Sequence, residues 1–190
     1  MIKENGELNL LRYSANGQLP LSEKTDYVMN LTVGVSDMKV SDDPESVLVT
    51  YSLGSCIGIA IYDPVVKVGG LLHFMLPESS LDPNKAKNNP YMFADTGIPA
   101  LFKASYQLGA KKQRMKVFVA GGSQVLDQQG FFNIGKRNDM AVRKIFHRNN
   151  VFIDYRDIGG NVNRTVRLAI KTGEARMKVS GRGEKQICLI

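Results

Sequence analysis

The stretch Ser46-Val-Leu-Val-Thr-Tyr-Ser-Leu-Gly-Ser-Cys-Ile-Gly-Ile-Ala-Ile-Tyr62, continued by Asp63-Pro64 and Val68-Gly-Gly-Leu-Leu-His-Phe-Met75, decides the fold. It begins with the longest uncharged run of the chain, which carries Gly54, Gly58 and several hydroxyl residues. That run is too short to cross a bilayer and reads as buried strand. Apolar, β-branched segments at 47–51, 57–62 and 68–75, bounded by turn formers, mark three strands, and Asp63-Pro64 predicts a hairpin between the last two. With 63–68 as the turn, Tyr62 pairs with Gly69, Gly58 faces His73 and Cys56 faces Met75. Cys56 and His73 then lie on one face as diagonal neighbours, roughly 7–8 Å apart by backbone, a gap that two side chains can span. A one-residue slip would put them on opposite faces.

Working outward, a β-branched run at 31–35 precedes the turn Ser41-Asp-Asp-Pro44, and 78–91 reads as a polar surface loop. A helix follows with Asp95 or Thr96 as its cap, Pro99 in the first turn and Gly109 as its stop. A strand at 115–120 ends at Gly121-Gly122, and a second helix starting near Asn138 aligns Val142, Ile145 and Phe146. Strands at 151–157, 164–171 and 175–179 complete the pattern; the middle one turns Val166, Leu168 and Ile170 inward and Thr165, Arg167 and Ala169 outward. About eight strands and two main helices predict an α+β domain, a layered sandwich of mostly antiparallel or mixed sheet rather than a doubly wound one. Its expected extent is 31–179, with a flexible N-terminal extension over 1–30 and a basic C-terminal tail over 180–190.

Composition narrows the function classes. The 190 residues are 43% hydrophobic and 23% charged, enough apolar material for a core and too ordered a composition for a collagen-like or fully disordered chain. Two cysteines, Cys56 and Cys188, cannot form a disulfide framework, and with only His73 and His147 beside them no zinc site is expected. A reducing, cytoplasmic setting follows. The first residues lack the basic and apolar regions of a signal peptide, and Cys188, third from the end, makes no prenylation box. Residues 1–110 hold 8 basic against 12 acidic residues, a balance of −4, whereas 111–190 hold 17 against 6, a balance of +11. Such asymmetry fits either solvated faces or an anionic partner. Nucleic acid is disfavoured because the Lys and Arg residues are dispersed and no aromatic stacking motif interleaves them.

A thiol beside an imidazole is what nucleophilic catalysis needs, since a base or positive charge nearby promotes the thiolate; a depressed Cys56 pKa is the corresponding expectation. Gly54 and small neighbours in Ser52-Leu-Gly-Ser-Cys56 allow a tight turn that can aim backbone N–H groups at an oxyanion. On pattern alone Cys56 also reads as a small core residue, and His73, between Leu72 and Phe74, as a hydrogen-bonded core histidine. His147 and Cys188 read as structural.

Thr50-Tyr-Ser-Leu-Gly-Ser-Cys56, Ile61-Tyr-Asp-Pro64, Gly69-Gly70 and His73-Phe-Met-Leu-Pro77 together resemble the CheD family, the chemoreceptor glutamine deamidases. The resemblance continues through Ala120-Gly-Gly-Ser-Gln-Val-Leu126, Asn133-Ile-Gly-Lys-Arg-Asn138 and Asp157-Ile-Gly-Gly160 with Arg164 and Gly173, so it covers 31–179; Asn163 stands where the family usually has Gly. It implies a fold shared with cytotoxic necrotizing factor-type toxins and hydrolysis of selected receptor glutamines to glutamate and ammonia. It further implies Cys56 as nucleophile, His73 as general base and acid, and Thr50 as the residue that orients the imidazole, with no cofactor or metal. Chemoreceptors are the implied partners of a cytoplasmic monomer without membrane insertion. A second implied role is binding a CheC-type phosphatase and raising its action on phosphorylated CheY.

Overall fold

The computed structural model describes residues 29–124 and 132–188. In chain order they form β1 (Met29–Thr32), β2 (Asp37–Ser41), β3 (Ser46–Leu53), β4 (Ile57–Asp63), β5 (Val68–Phe74), α1 (Pro83–Asn88), α2 (Ala94–Gln107), β6 (Lys116–Gly121), α3 (Ile134–Arg148), β7 (Tyr155–Ile158), β8 (Arg164–Ala169), β9 (Glu174–Val179) and β10 (Gly183–Cys188). Two five-stranded sheets result, ordered β1-β3-β8-β9-β10 and β2-β5-β4-β6-β7. The β1/β3 and β6/β7 pairs are parallel and the remaining pairs antiparallel.

The central strands of the second sheet are buried on both faces, which explains why β4 and β5 read as nearly continuous apolar runs. From one face Ile57, Ile59, Ile61, Leu72 and Phe74 pack with Ile98, Leu101 and Phe102 of α2 and Val142 and Phe146 of α3. From the other, Ala60, Tyr62 and Leu71 meet Leu48, Leu53, Val166, Leu168 and Met177 of the first sheet. The layers are therefore sheet, sheet and helices, with β4–β5 at the centre. At the Asp63-Pro64 turn, the fully buried Asp63 carboxylate accepts from the Arg114 guanidinium at 2.6 Å and from the backbone N–H of Lys111 at 2.8 Å. Burial alone would raise the pKa of this carboxyl, but the Arg114 pairing and the backbone donors outweigh it and hold the group below its usual range.

The hairpin register is the predicted one: Tyr62 pairs with Gly69 and Gly58 with His73. The alternation on β8 also holds, with Val166, Leu168 and Ile170 buried and Thr165, Arg167 and Ala169 only partly so. Other expectations are corrected. The polar edge strand β2 occupies 37–41, where no strand was expected, because its pairing with β5 supplies what its sequence lacks. Within the expected loop 78–91 lies α1, capped by Asp82 with Pro83 in its first turn. Helix α2 starts at Ala94, and Asp95 does not cap it but accepts from the N–H and hydroxyl of Ser79. Helix α3 starts at Ile134, one turn earlier than its apolar stripe suggests, directly after Asn133 at φ 48°. The segment expected as a basic tail contributes β10, which pairs with β9 and buries Ile187. Of the expected N-terminal extension, Met29 and Asn30 belong to β1, and 1–28 lie outside the described residues.

Candidate active site

Thr50 and His73 meet across the gap between the sheets. Both are buried, and Thr50 Oγ1 lies 2.8 Å from His73 Nδ1 and 2.8 Å from the Val33 carbonyl oxygen. The hydroxyl has a single proton, and the carbonyl can only accept, so Thr50 donates to Val33. His73 must then donate its Nδ1–H to the Thr50 oxygen. This fixes the tautomer of the neutral ring and leaves the Nε2 lone pair free. Nε2 is buried and has no hydrogen-bond partner among the described residues.

Cys56 lies one residue ahead of β4 and is half-buried. It packs against the inter-sheet core, the side that His73 faces. Gly58, opposite His73, leaves room for the β3 side chains that face it: a Cβ there would come within 2.8 Å of Leu53 Cδ1 and 3.6 Å of Thr50 Cγ2. The approach to Cys56 is an irregular turn. The β3/β8 register shifts between Thr50 and Leu53, and Ser52 within that bulge has φ 56°. As a result both Thr50 and Leu53 point into the core.

Other elements hold this turn from behind. The N–H of Gly122 donates to the Cys56 carbonyl and that of Ser123 to the Gly54 carbonyl, both at 2.8 Å. Gly121, at φ 121°, packs so tightly that a Cβ would overlap the Cys56 carbonyl oxygen. The side-chain amide of Asn138 donates to the carbonyls of Ser55 and Met75. Ser123 is fixed in turn by Arg164, whose guanidinium also binds Asp157 and the Gly159 carbonyl. Asn138, Ser123 and Arg164 were visible in the sequence only as residues within the resembling motifs, with no spacing that assigned them a place at the site.

Burial sets the protonation states. It pushes the Cys56 thiol up, a backbone hydrogen bond offsetting part of the rise. It also pushes His73 down from its ordinary 6.5 to about 4. The expectation of a depressed thiol pKa is therefore reversed: among the described residues no cation acts on the sulfur, and a buried imidazole that stays neutral cannot hold a thiolate by charge. The resting arrangement is a thiol and a neutral imidazole, which suits proton transfer concerted with attack.

Away from these residues, a cleft of about 220 Å³ between α2 and α3 is lined by Ile98, Phe102, Tyr106, Ile145 and Phe146. Among the described residues, no group of three or more His, Cys, Asp or Glu side chains is arranged to hold a metal ion, and no helix is long and apolar enough to cross a membrane. His147 lies on the exposed face of α3, away from the Thr50–His73 pair.

The sequence matches the family described as CheD chemotactic sensory transduction over residues 75–179. It is 60% identical over 152 residues to the probable chemoreceptor glutamine deamidase CheD 1 of Syntrophus aciditrophicus, covering 80% of this chain and 95% of that protein. Its identity to the probable chemoreceptor glutamine deamidase CheD of Solibacter usitatus is 45% over 157 residues, covering 83% and 93% of the two chains. To the CheD 2 protein of the same description from Anaeromyxobacter dehalogenans it is 46% over 143 residues, covering 75% and 90%. Among solved structures, the hypothetical protein YfiH of Bacillus licheniformis aligns with a TM-score of 0.37 at 10% identity, over 71% of this chain and 61% of that one.

Proposed function

The chain belongs to the CheD family, and from that membership we propose that it hydrolyses the side-chain amide of selected chemoreceptor glutamines to glutamate and ammonia. Relatives named for this activity are matched along nearly their whole length. The observation that carries the chemistry is the Thr50–His73 hydrogen bond, which leaves Nε2 as the proton acceptor on the face shared with Cys56.

In this reading the thiol proton of Cys56 passes to His73 Nε2 as Sγ bonds to the amide carbon. The developing oxyanion takes hydrogen bonds from backbone N–H groups of the turn. His73 then returns the proton to nitrogen as the C–N bond breaks, and ammonia leaves. Water, deprotonated by the same nitrogen, hydrolyses the thioester to glutamate and regenerates the thiol. Thr50 touches no reacting atom; it holds the ring in the productive tautomer.

We place the protein in the cytoplasm as a monomer acting on the cytoplasmic part of its receptors, with the fold shared by cytotoxic necrotizing factor-type hydrolases. Helix α3 exposes Lys136, Arg137, Arg143, Lys144 and Arg148, a cationic face suited to steering the domain onto acidic receptor helices. Peptide mapping of a purified receptor before and after incubation tests the activity: specific glutamines convert to glutamate with the wild type, and an unchanged map would refute the reading. Binding of a CheC-type phosphatase is a separable role, which Cys56→Ala should leave intact while it abolishes ammonia release.

A further inference from the structure

Asn138 lies on the inner side of α3, is fully buried, and has no part in the chemistry above. Its Nδ2 donates to the Met75 carbonyl at 2.7 Å and to the Ser55 carbonyl at 3.0 Å. These two acceptors stand at a particular place. The β4–β5 ladder runs from Asp63↔Val68 to Ile57↔Phe74 and stops there. Beyond it Cys56 and Met75 would be the next pair, but the strands part: the Cys56 carbonyl accepts from Gly122, and the Met75 N–H donates to the Met92 carbonyl. The mouth of the hairpin, with Cys56 on one lip and His73 two residues inside the other, therefore has no ladder bond to set its width. The Asn138 amide spans it, one N–H to each side.

We propose that Asn138 is a positioning residue that fixes the separation and relative orientation of Cys56 and His73 by bridging the open end of their hairpin. A planar amide carries two N–H donors on one nitrogen and so can satisfy two carbonyls from a single uncharged atom, and α3, packed on the far side of the sheet, supplies the rigid support. The bonds differ from ordinary core satisfaction in where they fall: one acceptor immediately precedes the thiol residue and the other follows the imidazole residue by two. The Oδ1 atom of the same amide is buried without a partner among the described residues, a cost that the two donated bonds offset.

This inference rests on the Cys56–His73 site proposed above, and the test separates the two. Asn138→Ala should fold, lower kcat for glutamine deamidation about tenfold or more and leave KM within about threefold, since a misplaced base costs rate rather than binding. The decisive readout needs no substrate: the rate of Cys56 alkylation by iodoacetamide at neutral pH in the wild type, Asn138→Ala, His73→Ala and the double variant. If Asn138 acts through the thiol–imidazole geometry, its loss slows alkylation in the wild type and changes it by less than about twofold once His73 is gone. Equal effects in both backgrounds, or none in the wild type, would overturn the proposal and leave Asn138 as core packing. Should the alanine variant fail to fold, Asn138→Ser, which keeps one donor, is read by the same cycle. Deamidation retained by Cys56→Ala would instead overturn the thiol mechanism while the alkylation cycle still judges Asn138.

Discussion

Replacing Thr50 with valine removes one oxygen and keeps the shape of the side chain, so it isolates what the hydroxyl does. In the native state that oxygen makes two buried hydrogen bonds of 2.8 Å, one to the Val33 carbonyl and one from His73 Nδ1–H. Without it both groups stay buried and unpaired, which costs about 1–3 kcal/mol each in folding stability. The catalytic effect comes from the second bond alone. A net hydrogen bond of about 1–1.5 kcal/mol that favours the Nδ1–H tautomer is worth about tenfold in the population of the productive ring, before any loss of orientation is added. Thr50→Val should therefore lower kcat about tenfold to a hundredfold with KM little changed. Thr50→Ser, which restores the oxygen, should recover most of that loss. Coupled measurement of ammonia release gives the rates, urea denaturation gives the stability, and ¹⁵N chemical shifts of the imidazole report the tautomer directly. A folded Thr50→Val protein with kcat within about twofold of the wild type and an unchanged tautomer would refute the reasoning.

Further outcomes follow from the same geometry. The His73 pKa falls to about 4 on folding from its ordinary 6.5, so its contribution to stability is complete above 6.5 and is lost as the pH drops toward 4, where the unfolded chain binds a proton that the native one excludes. Between pH 7 and pH 5 the wild type should lose about 2 kcal/mol more than His73→Gln in urea titrations, and equal losses would contradict this. Gly121→Ala forces a Cβ onto the Cys56 carbonyl at φ 121° and should cost about 3 kcal/mol or more by thermal melting, whereas Gly34→Ala, with nothing within 4 Å, should change little. If the cationic face of α3 steers association, receptor binding should weaken with salt and with Arg137→Glu; salt-insensitive binding would remove that role.

What could be read in the sequence divides along physical lines. The central hairpin was legible because two apolar runs flank a strong turn signal, and with 63–68 taken as the turn the register that puts Cys56 and His73 on one face is the observed one. The strands β2 and β10 were not legible, since Asp37-Met-Lys-Val-Ser41 and Gly183-Glu-Lys-Gln-Ile-Cys188 are edge strands with solvent on one side and few apolar residues, held by pairing with their neighbours. Helix α1 is six residues with no buried side chain, so it left no stripe to find. At the site, no periodicity announces the bulge at Ser52, which turns both Thr50 and Leu53 inward, nor the reach of Asn138 from a distant helix to Ser55 and Met75. The thiol pKa was not legible for a related reason: a neighbouring imidazole can be inferred from spacing, but the depth that keeps it neutral comes from packing the first sheet over it.

The central claim is that Cys56 is the nucleophile and that His73 Nε2 takes its proton. Steady-state ammonia release from a purified receptor by the wild type, Cys56→Ala and His73→Ala, each shown to be folded, tests it most directly. The expected result is turnover by the wild type and only background release by both variants. A folded Cys56→Ala protein that still converts receptor glutamine to glutamate at the wild-type rate would contradict it.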